Sequence, residues 1–154
     1  MLRAPATTTQ LSARGLRFGI AAASYNPELA DALLEHCVNA LRERGARAIR
    51  VLRVPGSFEV SVAAGWLARS RRYDCVIGLG VILRGETSHA HHIADAVAHG
   101  LTRIAIETGV PTIFGIVTAN TLAQARVRCL GRRYNRGREA AETAIAMARL
   151  WKRP

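Results

Sequence analysis

Residues 73–80 (YDCVIGLG) form an almost continuous apolar run, and this run is the strongest constraint on the fold. A short run without alternating polar residues is typical of a strand that is covered on both faces. Such strands belong to parallel sheets that lie between two layers of helices. With 154 residues, 49% of them hydrophobic, the chain is long enough for one domain of this kind and too short for two.

From Leu16 onward, strand patterns alternate with helix patterns. The predicted strands cover residues 16–24, 49–54, 73–80 and 112–117, and the predicted helices cover residues 27–44, 58–70, 90–108, 121–129 and 136–151, with Asn120 or Thr121 as the cap of the fourth helix. Parallel strands need crossover connections, and these are right-handed. We therefore predict an α/β three-layer sandwich: a four-stranded parallel sheet in the flavodoxin-like order 2-1-3-4, with helices on both faces. Residues 15–154 should form this single domain and residues 1–14 a flexible N-terminal arm.

The formal net charge of +11 suggests a nucleic-acid partner at first, since clustered cations release counterions from phosphate backbones. Of the 22 basic residues, however, 21 are Arg, and they are spread over nearly every predicted element. The aromatic residues do not cluster beside them, as stacking platforms for RNA would. This distribution indicates a compositional bias, and we predict no nucleic-acid partner.

Cys37, Cys75 and Cys129 are odd in number and widely spaced, and no two of them form a C-x-x-C pair. Neither a disulfide framework nor a zinc site is indicated, and a reducing cytoplasm fits this pattern. No apolar run reaches the roughly 20 residues that span a bilayer, and the start of the chain lacks the hydrophobic core of a signal peptide. We expect a cytoplasmic protein without a membrane partner.

The segment that follows the apolar run, residues 80–89 (GVILRGETSH), carries Arg84, Gly85, Thr87 and His89. Ligands of open α/β sheets bind outside the carboxyl ends of the strands, where this segment should lie. Gly85 lets the backbone approach a ligand closely, and the amides that open the next helix can hold an anion. His89 supplies a proton donor or acceptor near neutral pH. The alternative is an ordinary turn with a capping hydroxyl and a solvated histidine.

His89, His91 and His92 are close together in the sequence, but their spacing does not converge on a metal as an i, i+4 pair on a helix does. We therefore predict no metal site. His92, Asp95 and His99 have helical spacing and should form a polar helix face.

Five segments, taken in order, resemble the lumazine synthase family. They are residues 24–26 (SYN), 54–59 (VPGSFE), 80–89, 109–118 (GVPTIFGIVT) and 124–128 (QARVR). The resemblance extends from about Leu16 to Trp151. It implies a transferase of riboflavin biosynthesis that works without a cofactor. Such an enzyme condenses 5-amino-6-(D-ribitylamino)uracil with 3,4-dihydroxy-2-butanone 4-phosphate, giving 6,7-dimethyl-8-ribityllumazine, phosphate and water.

The resemblance also implies a role for each matching residue. His89 matches the proton-transfer residue of the family. The pyrimidine and its ribityl chain would contact Tyr25, Ser57, Phe58, Glu59, Val81, Ile82, Leu83 and Phe114. The butanone phosphate would contact Thr87, Arg128 and the backbone amide of Glu86. Because the family's site lies between neighbouring subunits of a pentamer, Phe114 and Arg128 would come from the adjacent chain.

Without the resemblance, three of these residues have ordinary structural explanations. Phe114 could be a core residue of a strand, since Phe is often buried. Glu59 could be an acid in a first helical turn, which the helix dipole favours. Arg128 could be a solvated cation near a helix end.

One departure from the family follows the predicted catalytic histidine. Ala90, His91 and His92 stand where the family commonly has an aromatic and an acidic residue. A catalytically weak flavin- or lumazine-binding or container protein of the same fold is therefore the alternative function. Such a protein could dispense with His89 and Arg128, and both are present here.

The predicted assembly rests on residues 131–137 (GRRYNRG). This linker has the short length seen in family members that form sixty-subunit icosahedral shells from pentamers. Arg133 and Tyr134, however, replace the small residues usual there. We expect pentamers that assemble into a closed shell, with a free pentamer or a decamer as the alternative, and riboflavin synthase as a possible further partner.

Overall fold

The computed structural model of the chain describes residues 10–152. Its strands are β1 (Arg17–Ala23), β2 (Ala48–Val54), β3 (Cys75–Leu83) and β4 (Thr112–Ala119). Its helices are α1 (Pro27–Glu43), α2 (Val60–Arg69), α3 (His89–Thr108), α4 (Leu122–Leu130) and α5 (Arg136–Trp151). A single 3-10 turn, Ser57–Glu59, precedes α2.

The four strands form one parallel sheet in the order β2-β1-β3-β4. One hydrophobic cluster joins the sheet to α1, α4 and α5, and a second joins its other face to α2 and α3. The predicted three-layer sandwich and the predicted strand order are therefore confirmed. The strand that contains the apolar run, β3, lies inside the sheet and is buried along nearly its whole length.

The element boundaries differ from the prediction around the carboxyl end of β3. The strand starts at Cys75 and continues to Leu83, because its last three residues still pair with Val117, Thr118 and Ala119 of β4. The predicted helix over residues 58–70 is divided into the 3-10 turn and α2. His89, which we predicted in a loop, is the first residue of α3.

The ends of the helices show the expected local chemistry. Pro27 opens α1, where its missing N–H leaves no hydrogen bond unmade. Of the two predicted caps of α4, Thr121 is the one used, since its hydroxyl accepts a hydrogen bond of 3.2 Å from the amide of Gln124. Gly109 ends α3 with φ of 72°, a left-handed conformation that favours glycine.

Gly78 allows α2 and α3 to pack closely on the centre of the sheet. A Cβ atom at this position would lie 2.8 Å from Cγ1 of Val60 in α2 and 3.0 Å from Cδ1 of Leu101 in α3. Both distances are shorter than normal van der Waals contacts. A larger residue would therefore push both helices outward and change the positions of the segments before them.

Polar contacts close the amino end of the sheet. Asp74, just before β3, is buried, and its carboxylate accepts a hydrogen bond of 2.7 Å from the amide of Arg17. The ammonium of Lys152 lies 2.9 Å from the same carboxylate. Through Asp74, Lys152, which directly follows α5, is held next to the starts of β1 and β3.

The predicted N-terminal arm lies partly outside the described residues, which begin at Gln10. Its described part contacts the domain: Ala13 is fully buried, and its amide donates a hydrogen bond to the carbonyl of Arg44. The guanidinium of Arg149 donates hydrogen bonds to the carbonyls of Ser12 and Arg14, at 3.0 and 2.7 Å. The statement that residues 1–9 are flexible stays a prediction.

The three cysteines are unpaired and buried within the first cluster. Burial raises the pKa of Cys37 to about 12 and that of Cys129 to about 11, and it raises the pKa of Cys75 further. The thiols are therefore protonated near neutral pH and act as small apolar side chains. Over residues 10–152, none of the helices has the length and apolar character needed to cross a membrane.

Candidate active site

A cleft of about 890 Å³ opens at the carboxyl end of the sheet. It lies between the ends of β1 and β3, the 3-10 turn and the start of α3. The residues that line it are Tyr25, Asn26, Gly56, Ser57, Phe58, Glu59, Val81, Ile82, Leu83, Arg84, Gly85, Thr87, His89, Ala90, His92 and Ile93. This is the edge at which ligands of open α/β sheets bind.

Two exposed aromatic side chains stand at the mouth of the cleft. Tyr25, in the turn between β1 and α1, has 73% of its surface exposed, and Phe58, in the 3-10 turn, has 55% exposed. The amide of Tyr25 donates a hydrogen bond of 3.0 Å to the carbonyl of Pro55, which joins the two turns. Both rings line the cleft, so their exposed faces are open to a ligand there. The rings can therefore serve as a platform for a planar ligand.

The 3-10 turn is held in place by contacts of its own residues. The Glu59 carboxylate accepts a hydrogen bond of 3.0 Å from the amide of Gly56, and this contact closes the turn. The Ser57 hydroxyl is buried and lies 3.5 Å from the carbonyl oxygen of Val81 in β3. A Cβ atom on Gly80 would collide with that hydroxyl, so the glycine allows the turn to sit against the sheet. The second oxygen of Glu59 remains available to a hydroxyl group of a ligand.

The opposite side of the cleft is formed by residues 84–88 and the first turn of α3. The amide of Arg84 donates a hydrogen bond of 2.9 Å to the carbonyl of Ala119, which ties the loop to the end of β4. The Thr87 hydroxyl lies 3.4 Å from the amide of His89. Thr87 and His89 are both exposed, and both line the cleft.

This arrangement brings three kinds of chemical group together. The aromatic rings and the apolar end of β3 suit a planar heterocycle, and Glu59 with the nearby backbone suits a polyol. The helix start, Thr87 and Arg84 suit an anion, because amides, hydroxyls and a guanidinium all donate hydrogen bonds to phosphate oxygens. His89 can transfer protons between two such ligands if they lie side by side.

Most of the site residues predicted from the sequence line this one cleft. The exceptions are Glu86, Phe114 and Arg128. Phe114 lies on β4 opposite Gly78 in the sheet register, with 40% of its surface exposed. Arg128 lies on α4, where its guanidinium donates a hydrogen bond of 2.9 Å to Glu139 of α5. Neither side chain therefore lines the cleft of its own chain.

The cleft also contains residues to which we assigned no role from the sequence. Arg84 was recognised only as part of residues 80–89, and His92 was expected only on a polar face of the third helix. Its position three residues after His89 was the signal, because residues at i and i+3 share one face of a helix. His91, by contrast, is exposed and does not line the cleft. Among residues 10–152, no three His, Cys, Asp or Glu side chains are close enough together to hold a metal ion.

An open α/β domain with a cleft at the carboxyl ends of its strands, lined by aromatic, acidic and basic side chains, is typical of enzymes that act on small molecules. Residues 15–152 match the 6,7-dimethyl-8-ribityllumazine synthase family, and the chain belongs to this family. It is similar to the 6,7-dimethyl-8-ribityllumazine synthase of Aquifex aeolicus (strain VF5), with 46% identity over 145 residues. The alignment covers 93% of this chain and 94% of that protein. The family predicted from the five segments is therefore confirmed.

Proposed function

We propose that this protein condenses 5-amino-6-(D-ribitylamino)uracil with 3,4-dihydroxy-2-butanone 4-phosphate to form 6,7-dimethyl-8-ribityllumazine. The observation that carries the proposal is the cleft, in which two aromatic rings, a carboxylate and a histidine lie beside the start of a helix. Membership of the family supports the same reaction. The product would serve riboflavin synthase, the last enzyme of the route. The three buried, unpaired thiols fit a reducing compartment, and we place the reaction in the cytoplasm.

The pyrimidine substrate would occupy the side of the cleft near Tyr25. Offset stacking on an aromatic ring contributes roughly 0.5–1.5 kcal/mol beyond the buried area. Val81, Ile82 and Leu83 would contact the pyrimidine through apolar groups and backbone atoms at the end of β3. The ribityl hydroxyls would bind Glu59 and the backbone of Ser57 and Phe58, where the 3-10 turn leaves hydrogen-bonding groups facing the cleft.

The phosphate ester would bind at the other side, against residues 84–88 and the start of α3. Thr87 and the amide of Glu86 would donate hydrogen bonds to it, with the Glu86 side chain directed away. Arg128 would supply a fixed positive charge that can bind a phosphate with two parallel hydrogen bonds. The exposed position of both Glu86 and Thr87 supports this assignment, since neither side chain is used in packing.

His89 would transfer protons between the two bound substrates. The amine attacks the ketone, water is lost to give an imine, phosphate leaves, and the ring closes after tautomerisation. Each of these steps moves a proton, and a well-placed histidine contributes typically 10²- to 10⁴-fold to such reactions. Holding the two substrates side by side in the cleft would supply much of the remaining acceleration.

The complete site would include a second chain. Phe114 and Arg128 lie outside the cleft of their own chain, so they can take part only from a neighbour. The helix that carries Arg128 supports this, because Leu122, Val127 and Leu130 of α4 are exposed apolar side chains that a neighbouring chain could cover. The contact with Glu139 would hold the guanidinium in one orientation before substrate binds.

We further propose that the chains form pentamers and that the pentamers assemble into a closed shell. In the linker between α4 and α5, the Arg133 guanidinium lies 5.3 Å from the centre of the Tyr134 ring. Asn135 anchors this linker by donating hydrogen bonds to the carbonyls of Cys129 and Gly131, at 2.9 and 3.0 Å. Sedimentation velocity is the test: a single species of five-subunit or ten-subunit mass would contradict the closed shell.

The reaction is tested by a spectrophotometric assay of the purified protein with both substrates. We expect lumazine to form faster than in the spontaneous condensation. In Arg128→Ala, the KM for the butanone phosphate should rise about tenfold or more, because a charge-assisted hydrogen bond is lost. Arg126→Ala is the matched control, since Arg126 is an exposed arginine of the same helix that pairs with Glu28.

Two outcomes would contradict the proposal in different ways. If the protein does not accelerate the condensation but still binds the pyrimidine, it is a binding or container protein of the same fold. If Arg126→Ala raises the KM as much as Arg128→Ala does, the effect comes from the net charge of α4, and the specific assignment of Arg128 is wrong.

A further inference from the structure

His92 is a second imidazole in the cleft. It lies one turn after His89 on α3 and lines the cleft together with Arg84 and Thr87. Its Nε2 atom is 3.2 Å from the hydroxyl oxygen of Ser88, the residue that precedes the helix. The side chain therefore leans toward the start of α3 and the loop formed by residues 84–88.

The charged groups near His92 favour an anion on this side. Arg84 also lines the cleft, and its guanidinium carries a positive charge. Glu59 is the carboxylate among the lining residues, and it already accepts a hydrogen bond from the amide of Gly56. The other acids nearby are Glu86 in the loop and Asp95 on the next turn of α3, and neither lines the cleft. Tyr25 completes the titratable groups that line it.

The contact with Ser88 has three states that differ in what they offer a ligand. In the neutral imidazole, the Ser88 hydroxyl donates to Nε2 when the ring proton is on Nδ1, and its oxygen accepts from Nε2–H when the ring proton is on Nε2. In the protonated imidazole, Nε2–H always donates to the Ser88 oxygen. The hydroxyl proton is then free, and the ring carries a positive charge.

We propose that His92 and Ser88 form a pair that binds the phosphate group of the ester substrate when His92 is protonated. The proposal rests on the proposed function, because the phosphate is that of the butanone phosphate. A protonated pair offers one cation and one free hydroxyl donor beside Thr87, at the start of a helix whose dipole also favours anions. His92 thus acts as a substrate-binding residue, while His89 moves protons.

Binding of inorganic phosphate to the full-length assembled protein tests this directly. The variants are His92→Gln, Ser88→Ala and, as the matched control, His91→Gln, which removes an exposed imidazole next to His92 that does not line the cleft. Kd is measured by calorimetry at pH 6 and pH 8. Comparing variants at one pH removes the effect of phosphate's own ionisation.

At pH 6 we expect His92→Gln to bind phosphate about tenfold more weakly than the wild type, because a charge-assisted hydrogen bond is lost. At pH 8 the difference should shrink, since histidine is then mostly neutral. Ser88→Ala should lose part of the affinity at pH 6, and His91→Gln should match the wild type. His92→Lys should keep tight binding at both pH values, because its charge does not titrate in this range.

Equal phosphate affinity of His92→Gln and the wild type at pH 6 would overturn the proposal. An equal loss in His91→Gln would also overturn it, since general surface charge would then be the cause. The lumazine assay separates this result from the proposed function. If the wild type forms lumazine and His92→Gln has the same KM for the butanone phosphate, the proposed role of His92 is wrong but the proposed function stands. A wild type that forms no lumazine contradicts the function, whatever the phosphate titration shows.

Discussion

The two ends of the sheet differ in how they use their polar and aromatic residues. At the amino end, Asp74 is buried and takes two partners, the amide of Arg17 and the ammonium of Lys152. At the carboxyl end, Tyr25 and Phe58 are largely exposed, and His89 makes no side-chain hydrogen bond within the described residues. One end satisfies its polar groups internally, and the other leaves them free for ligands.

We therefore expect residues at the amino end of the sheet to determine stability and the exposed residues at the carboxyl end to determine function. Contacts at the amino end join the start of β1, the start of β3 and the end of α5, so they stabilise the fold. The exposed side chains at the carboxyl end, such as Tyr25 and His89, contribute little packing, so their replacement should affect binding and turnover. Substitutions at the two ends should therefore have opposite signatures in an activity assay and in an unfolding experiment.

The largest effect is expected at His89. In His89→Gln, kcat for lumazine formation should fall about 100-fold or more, because a proton-transfer group is lost. The melting temperature should stay close to that of the wild type, since the side chain is exposed. His99→Gln, farther along the same helix, serves as the control for loss of an exposed imidazole. A kcat near the wild-type value in His89→Gln would show that proton transfer does not depend on this residue.

The corresponding test of the amino end is Asp74→Ala. Removing the carboxylate leaves the amide of Arg17 without its partner in a partly buried position, which should lower the free energy of unfolding by about 1–2 kcal/mol. Lumazine formation below the unfolding transition should keep the wild-type kcat. Urea denaturation measures the loss, and Asp74→Asn should show a smaller one because it retains an acceptor for the amide. A large loss of kcat in the folded variant would mean that the two ends are coupled.

A smaller effect is expected at Tyr25. In Tyr25→Ala, the KM for the pyrimidine should rise about five- to tenfold through the loss of stacking, and Tyr25→Phe should behave like the wild type. Unfolding should change little in either variant, because the ring is mostly exposed. Equal KM values for Tyr25→Ala and Tyr25→Phe would show that the ring does not contribute to binding the pyrimidine.

The sequence was sufficient to predict the regular elements, their order in the sheet and the place of the cleft. These depend on local patterns, such as the buried run in β3 and the capping of α4 by Thr121, and on the geometry of parallel crossovers. The 3-10 turn at Ser57–Glu59 was missed, because a helix pattern continues through it, and the turn is fixed by the hydrogen bond between Gly56 and Glu59 and by packing against Gly80. The contact between Asp74 and Lys152 was also missed, since it joins residues far apart in the chain.

The candidate site could also be predicted only in part from the sequence. Residues that follow one strand, such as Leu83 and Thr87, could be placed from the end of that strand. His92 could not, because its role depends on which face of α3 turns toward the cleft. Phe114 and Arg128 lie beyond the cleft of a single chain, so only an assembly of chains can bring them to it.

The most direct test of the account mixes two impaired chains and measures the rate at a butanone phosphate concentration well below the wild-type KM, where the raised KM of Arg128→Ala limits its activity. His89→Gln keeps Arg128, and Arg128→Ala keeps the cleft with His89, so a site shared between them would have both residues. When the two variants are coexpressed and copurified, about a quarter of the sites should be complete if neighbours pair at random around a ring. We predict lumazine formation well above the sum of the two separate variants. Activity no greater than that sum, in assemblies shown to contain both chains, would contradict a site built from two subunits.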